Sequence, residues 1–158
     1  MSGRRDIPIS IAARELMPII CSALQRGQRV RMTATGGSMR PFLHNGDVVE
    51  LEPLDSLPVM GDVVLVRSGR ERYVLHRLVR VKGGKLFIRG DAQEYCEGPF
   101  TRGDVLGRVT RCCSNGRVRR LDSGPWRFAG LAWHLCAPLN LWLLRCAVQL
   151  RGDRREHI

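Results

Sequence analysis

Residues 73–89 of this chain read YVLHRLVRVKGGKLFIR, the pattern from which the fold is first predicted. Two runs rich in β-branched and other apolar residues, 73–81 and 85–89, lie on either side of Gly83 and Gly84. Paired glycines between two such runs are typical of a β-hairpin, because the tight turn needs positive φ angles that glycine adopts readily. The stretch therefore predicts two antiparallel strands joined by a tight turn.

Further short strands are predicted on both sides of this hairpin. They share an alternating or short apolar pattern bounded by turn residues. They cover residues 30–34, 48–51, 63–67, 105–112 and 118–121. About seven short strands, with a helix before them and a helical tail after them, predict a mainly β (α+β) fold with antiparallel strands.

An amphipathic helix is predicted near the N-terminal end, from about residue 9 to residue 26. Ser10 is a good N-cap, because its hydroxyl can accept a hydrogen bond from a backbone N–H of the first turn. Leu16, Ile20 and Leu24 repeat at helical spacing. These three side chains are expected to form the apolar face of the helix.

Residues 125–158 are predicted to form a helical tail with a basic end, after a domain that covers residues 1–124. The apolar segment 128–150 is too polar for a clean transmembrane helix, because Arg145 within a span would cost about 2.5–3.5 kcal/mol. Pro138 favours two short helices instead. Such helices suit packing on the domain, contact with a second copy of the chain, or peripheral contact with a membrane.

The chain is strongly basic. Lys and Arg total 26 and Asp and Glu total 15 among 158 residues, which gives a net charge of +11. The arginines are scattered, and no helix-turn-helix or zinc-finger spacing is recognised, so no specific nucleic-acid partner is expected. With 44% hydrophobic residues, a chain of this length has the composition of one globular domain.

The pattern of the cysteines predicts reduced thiols. The six are Cys21, Cys96, Cys112, Cys113, Cys136 and Cys146. No Cys-X-X-Cys pair occurs, and adjacent cysteines make a poor metal clamp. No secretory signal is recognised at the start of the sequence. We therefore expect mostly buried, reduced thiols, no metal and no organic cofactor, in a cytoplasmic or peripherally membrane-associated protein.

A glycine-rich hexapeptide displays a serine in a way that suits nucleophilic catalysis. It reads Gly36-Gly37-Ser38-Met39-Arg40-Pro41. Paired glycines permit a bend that a Cβ would block, and a serine on such a bend is exposed. Taken alone, the hexapeptide is more typical of an ordinary turn between a strand and a loop.

Two further segments supply a base and a carboxylate. His76 lies in an apolar strand, where a histidine is more often a core residue than a base, although its near-neutral pKa suits it to take a serine proton. Asp91 follows a glycine at the end of a strand, where it can orient such a histidine or cap a turn. Glu97 and Asp104 are alternative carboxylates for this role.

In their order and spacing these segments resemble the signal peptidase I family and the related self-cleaving repressor peptidases. The resemblance runs from about residue 36 to residue 109, roughly half of the chain. Gly36–Pro41 resembles the nucleophile box, Asn45–Val49 and Gly61–Val64 its Gly-Asp turns, His76–Val79 its His-Arg-hydrophobic box, Arg89–Ala92 its Lys-Gly-Asp-Asn box, and Gly107–Val109 its closing strand.

The resemblance implies an antiparallel, β-rich catalytic fold and endopeptidase activity, with Ser38 as the nucleophile. The implied partner is a peptide or protein substrate with an extended leader-like or signal-like segment. The neighbours of the serine are expected to form the substrate-binding and oxyanion part of the site: Gly36, Gly37, Met39 and Pro41.

The general base is expected to be a histidine. Most bacterial members of that family use a lysine, whereas a smaller branch has a histidine at the matching position. The only lysines of this chain, Lys82 and Lys85, flank the predicted glycine turn. An exposed lysine amine is protonated at neutral pH and is a poor base. His76 is therefore the expected base for Ser38, and Asp91 is the expected third catalytic residue.

Other functions stay open at this point. Gly36 offers no hydroxyl where many bacterial members of the family carry one, and the family's membrane anchor is not recognised here. A non-catalytic module that grips an extended peptide by strand addition is the main alternative. A self-cleaving regulator is less favoured, because no Ala-Gly or Cys-Gly dipeptide precedes Ser38 and no DNA-binding domain is recognised.

Overall fold

A computed structural model describes residues 13–70 and 72–136 of the chain. These residues form one antiparallel sheet of eight strands, with one helix before it and one after it in the chain, which confirms the predicted fold class. The helices are α1 (Ala13–Gln25) and α2 (Gly124–Leu135). The strands are β1 (Val30–Thr33), β2 (Val48–Glu52), β3 (Val63–Arg67), β4 (Tyr73–Lys82), β5 (Lys85–Arg89), β6 (Glu97–Phe100), β7 (Val105–Ser114) and β8 (Arg117–Arg120).

The strand order in the sheet is β1-β2-β7-β3-β4-β5-β6, and β8 also pairs with β7. The long strand β7 therefore connects β1 and β2 to the strands β3–β6. It pairs with β2, its first part (Val105–Arg108) also pairs with β3, and its last part (Arg111–Ser114) also pairs with β8. The predicted hairpin is β4 and β5, with Lys82 opposite Lys85 at the turn.

Both faces of the sheet are buried around β3. Val63 and Leu65 belong to the cluster on which α1 packs, whereas Val64 and Val66 belong to a second cluster that includes Leu78. Successive side chains of a strand point to opposite faces, so a strand that is apolar without alternation must be covered on both sides. The continuous apolar run in β3 fits this position.

The apolar face of α1 differs by one position from the predicted face. Met17, Ile20 and Leu24 are buried, whereas Leu16 is 37% exposed. The expectation that Leu16 faces the core is therefore wrong. Residues 17, 20 and 24 fit the helical repeat as well as residues 16, 20 and 24 do, and the flexible side chain of Met17 takes the buried position. The predicted N-cap, Ser10, lies outside the described residues.

Helix α2 is the described part of the predicted tail. Ser123 is at the N-cap position, and Pro125 lies in the first turn, where the missing N–H of proline costs no hydrogen bond. The helix contacts β4. Pro138 and the rest of the segment 128–150 beyond residue 136 lie outside the described residues.

No helix within residues 13–70 and 72–136 has the length and apolar character needed to cross a membrane.

The described cysteines are free, and the expectation that they are mostly buried is wrong. Cys21, Cys96, Cys112, Cys113 and Cys136 are all free. Only Cys112 is buried, whereas Cys96 and Cys136 are exposed. Burial, reinforced by the neighbouring carboxylate of Asp47, raises the pKa of the Cys112 thiol to about 11, so this thiol is not a nucleophile at neutral pH. Cys146 lies outside the described residues.

The contact between α2 and β4 is tight at Gly130. A Cβ at this position would lie 2.2–2.4 Å from atoms of the Arg77 guanidinium. Arg77 cannot easily move away, because it is 1% exposed and donates hydrogen bonds to Asp91 and to the carbonyl of Gly61. Glycine is therefore required at this turn of the helix.

We expect Gly130→Ala to destabilise the protein by about 1–3 kcal/mol, the usual cost of overpacking a filled core. Helix propensity alone predicts the opposite sign, a gain of about 1 kcal/mol. Gly124→Ala is the matched control, because a Cβ there meets no atom within 4 Å. Urea unfolding of the three proteins measures the difference; equal stability of the Gly130→Ala and Gly124→Ala variants contradicts the tight contact.

Candidate active site

The chain presents Ser38 on a bend that follows β1. Gly36 has a φ of 85°, in the left-handed region that glycine adopts without strain. Its N–H donates to Oδ1 of Asn45 at 3.1 Å, which fixes the start of the bend. The carbonyl of Met39 accepts the N–H of Leu43 at 2.9 Å, which closes the turn after Ser38. Ser38 is half-buried, at the edge of a cavity.

His76 reaches this serine from the middle of β4. The strand register places His76 opposite Val64 of β3, and its side chain is 4% exposed. Its Nε2 lies 3.2 Å from Oγ of Ser38. The structure therefore brings together the two residues that the sequence predicts as nucleophile and base, although they are 38 positions apart.

The carboxylate beside the other ring nitrogen belongs to Glu97. Its Oε1 lies 3.2 Å from Nδ1 of His76, and its Oε2 lies 3.1 Å from the guanidinium of Arg72. Both atoms are buried, and neither makes a well-formed hydrogen bond to a described residue.

Asp91 does not make the contact with His76 that the sequence predicts for it. Its carboxylate accepts two hydrogen bonds from Arg77, at 2.8 and 2.7 Å, and lies 2.8 Å from Nε2 of His134. His76 and Arg77 are successive residues of β4, so their side chains point to opposite faces of the strand. A carboxylate that pairs with Arg77 is thus on the wrong face to orient the His76 ring.

The other alternative carboxylate, Asp104, is used in a local turn. It accepts hydrogen bonds from the N–H and the hydroxyl of Thr101, both at 2.7 Å. Of the three carboxylates considered from sequence, Glu97 is the one placed at the His76 ring. The sequence does not predict strand β6, which carries Glu97. It also does not predict that Arg72 lies beside the Glu97 carboxylate.

The turn that contains Asp91 nevertheless supports the serine. The N–H of Ala92 donates to the carbonyl of Ser38 at 2.8 Å. A Cβ at Gly90 would lie 2.7 Å from the same carbonyl oxygen, so only glycine permits this approach. The Gly90–Ala92 turn is therefore packed directly behind Ser38.

A cavity of about 520 Å³ opens beside Ser38 and His76. Most of its wall is apolar. Its lining includes Met32, Ala34 and Met39, and also Tyr73, Val74 and Leu75 of β4. The remaining predicted site residues, Gly37 and Pro41, lie in the bend itself. Gly37 is exposed, Pro41 is half-buried, and the peptide bond between Arg40 and Pro41 is cis.

Burial lowers the pKa of His76 below its ordinary value of 6.5. The negative charges of Glu97 and Asp91 oppose this shift, and the positive charge of Arg72 adds to it. At neutral pH the imidazole is therefore largely uncharged, the form that can accept a proton. The two lysines of the chain are exposed at the β4–β5 turn, so neither occupies a position beside Ser38.

Metal ligands are not gathered at this site. No group of three or more His, Cys, Asp or Glu side chains within the described residues is arranged to hold a metal ion. The carboxylate of Glu97 is instead shared between an imidazole and a guanidinium. The groups that surround Ser38 are those of acid–base and nucleophilic chemistry.

Comparison with known proteins adds no assignment to this geometry. Neither a scan against protein-family models nor a search of curated proteins finds a match to this chain. The residues around Ser38 and their arrangement therefore carry the functional conclusion.

We expect the pKa of His76, measured from the pH dependence of its ring signals in NMR spectra, to lie below 6.5. Glu97→Gln should lower this pKa further, because it removes the carboxylate that favours the imidazolium. Arg72→Gln should raise it, because it removes the opposing positive charge. A wild-type pKa at or above 6.5, or an unchanged pKa in both variants, contradicts this account of the site's electrostatics.

Proposed function

We propose that this protein is a serine endopeptidase with Ser38 as nucleophile and His76 as general base. The observation that carries the proposal is the 3.2 Å distance between Oγ of Ser38 and Nε2 of a buried histidine at the edge of an apolar cavity. A nucleophile and base within hydrogen-bond reach, with the second ring nitrogen beside a carboxylate, form the arrangement needed for acyl transfer.

The proposed reaction has two steps. In the first, His76 takes the proton of the Ser38 hydroxyl while Oγ attacks the carbonyl carbon of a peptide bond. His76 then gives this proton to the leaving amine, so the C–N bond breaks and an ester to Ser38 remains. In the second, His76 takes a proton from water while the water oxygen attacks the ester carbon. The bond between this carbon and Oγ of Ser38 then breaks, His76 returns the proton to Oγ, and the carboxylic acid product leaves.

The oxyanion of each step is proposed to accept a hydrogen bond from the backbone N–H of Ser38. One such donor is worth roughly 2.7–4 kcal/mol in other enzymes. Gly36 does not supply a second one in this conformation, because its N–H already donates to Asn45. Its role in the proposal is to make the bend that exposes Ser38.

Glu97 is proposed to take the orienting role that the sequence assigned to Asp91. Its carboxylate stabilises the imidazolium that forms when His76 accepts the serine proton. Arg72 binds the second carboxylate oxygen at 3.1 Å, which holds Glu97 near the ring. The three proposed catalytic residues are therefore Ser38, His76 and Glu97.

The substrate is proposed to be an extended, apolar segment of a peptide or protein, such as a leader or signal-like sequence. The lining of the cavity includes the chain after β1 and the first residues of β4. An extended peptide fits between two such segments, because its backbone can bond to them while alternate side chains enter the cavity. The apolar wall favours apolar side chains there.

A peripheral contact with a membrane through residues 128–150 would bring the protein to such substrates. On α2, Phe128 and Leu135 are 73% and 86% exposed, which leaves apolar surface for this contact. The remainder of the segment lies outside the described residues. This part of the proposal is tested below by the samples that contain lipid.

We expect wild-type protein to cleave members of a peptide library rich in leader-like sequences, as detected by mass spectrometry. Ser38→Ala and His76→Ala should each remove cleavage while the fold, followed by circular dichroism, stays intact. The rate should fall as the pH drops through the pKa of His76, because the imidazolium cannot accept a proton. Samples with and without anionic vesicles show whether lipid contact increases the rate.

Lys82→Ala and Lys85→Ala are the matched controls for the choice of base. Both lysines are exposed, and we expect the two variants to cleave at the wild-type rate. Full activity of His76→Ala, or loss of activity in either lysine variant, would refute the proposed base. Binding of library peptides with no cleavage by any variant would instead identify a peptide-binding module.

A further inference from the structure

Helix α2 contacts the turn behind the nucleophile through two polar side chains. Nε1 of Trp133 donates a hydrogen bond to the carbonyl oxygen of Asp91 at 2.8 Å. Nε2 of His134 lies 2.8 Å from Oδ1 of the same residue, and the His134 side chain is 7% exposed. An ionised carboxylate only accepts hydrogen bonds, so His134 is the donor in this pair.

This turn is one hydrogen bond away from the reacting group. Ala92, the residue after Asp91, donates its N–H to the carbonyl of Ser38 at 2.8 Å. Gly90, the residue before Asp91, lies so close to that carbonyl that a Cβ would clash with it. A shift of the turn would therefore shift the backbone of Ser38.

A second path from α2 reaches the same loop through aromatic rings. Phe42 lies four residues after Ser38, and its ring packs edge to face against Trp133 at 6.0 Å and against Trp126 at 6.2 Å between ring centroids. The guanidinium of Arg77 lies 4.9 Å from the centroid of the Phe42 ring. The chain segment that follows the Ser38–Pro41 turn is thus in contact with α2 and with Arg77.

The other end of the helix is fixed to the sheet independently. Nε of Arg127 lies 2.6 Å from Oδ1 of Asp62, a fully buried carboxylate in the turn before β3. The pair anchors the first half of α2, while Trp133 and His134 engage Asp91 from the second half. Loss of one contact in the second half should therefore loosen the nucleophile's support without detaching the helix.

We infer that Trp133 and His134 are positioning residues for the nucleophile. They hold the Gly90–Ala92 turn, and Trp133 also holds Phe42, so that Ser38 stays within hydrogen-bond distance of His76. This inference rests on the proposed peptidase function for its catalytic consequence, but the mechanical link is independent of it. A displacement of about 1 Å at a reacting group costs on the order of a hundredfold in rate, which gives such support a large effect.

Four variants separate this role from general stability. Trp133→Phe removes the indole N–H but keeps an aromatic ring against Phe42. His134→Leu removes the donor to Asp91, whereas His134→Gln retains a donor and serves as the rescue. Phe128→Ala is the matched control, because this residue is on the same helix and is 73% exposed.

The first readout is hydrogen exchange of the Ala92 amide, followed residue by residue by NMR. Trp133→Phe and His134→Leu should accelerate this exchange at least about tenfold, because the turn opens more often. The amide of Leu65 in the core strand β3 should keep its wild-type rate. His134→Gln and Phe128→Ala should resemble wild type at both amides.

The second readout is the division between kcat and KM on a cleaved library peptide. Trp133→Phe and His134→Leu should lower kcat about tenfold to a hundredfold with little change in KM, because the cavity is unaltered while the nucleophile is displaced. His134→Gln should recover most of the rate. A helix with a merely structural role would instead lower the amount of folded enzyme and leave kcat per folded molecule unchanged.

Unchanged Ala92 exchange in both Trp133→Phe and His134→Leu overturns the inference. Faster exchange at Ala92 and Leu65 together also overturns it, because that pattern reports global loosening. If wild-type protein cleaves no peptide, the proposed function fails. The exchange data alone then show whether Trp133 and His134 hold the Gly90–Ala92 turn. If wild-type protein cleaves and the two variants retain full kcat, the positioning role fails while the proposed function stands.

Discussion

The guanidinium of Arg77 and the carboxylate of Asp91 meet at the centre of the fold, and each residue is only 1% exposed. Two hydrogen bonds join them, at 2.8 and 2.7 Å, and a third joins Arg77 to the carbonyl of Gly61. A buried charge that loses its partner costs about 3–5 kcal/mol, so the folded chain must satisfy both groups at once. This constraint brings β4, the turn before β3 and the turn after β5 to one point, and Gly130 lets α2 cover that point closely.

The geometry of the candidate active site follows from this ion pair. His76 precedes Arg77 in β4, so fixing the Arg77 side chain on one face of the strand fixes the imidazole on the other. The turn that supplies Asp91 also supplies the amide that bonds to the Ser38 carbonyl. Asp91 thus acts on the site through the backbone and through its charge, which favours the imidazolium of His76. Glu97, and not Asp91, contacts the imidazole directly.

The sequence predicts most of the sheet because its strands carry local signals. The hairpin around Gly83-Gly84 and the apolar run of β3 are examples, and Ser38 and His76 stand out for the same reason. Strand β6 escapes prediction because it contains Gly98-Pro99, a pair typical of turns, and proline is confined to sheet edges such as this one. Since Glu97 is the first residue of that strand, its place beside His76 depends on the pairing of β6 with β5, which no local pattern encodes.

We propose that His76 activates the group at position 38. The most direct test needs no knowledge of the substrate. In a Ser38→Cys variant, the rate of alkylation of the introduced thiol is measured against pH by mass spectrometry, and the same is done with His76→Ala added. We expect a thiol pKa below the ordinary value of about 8.5 in the single variant, and a higher thiol pKa when the imidazole is removed. The same alkylation profile in both proteins would contradict the pairing of Ser38 with His76.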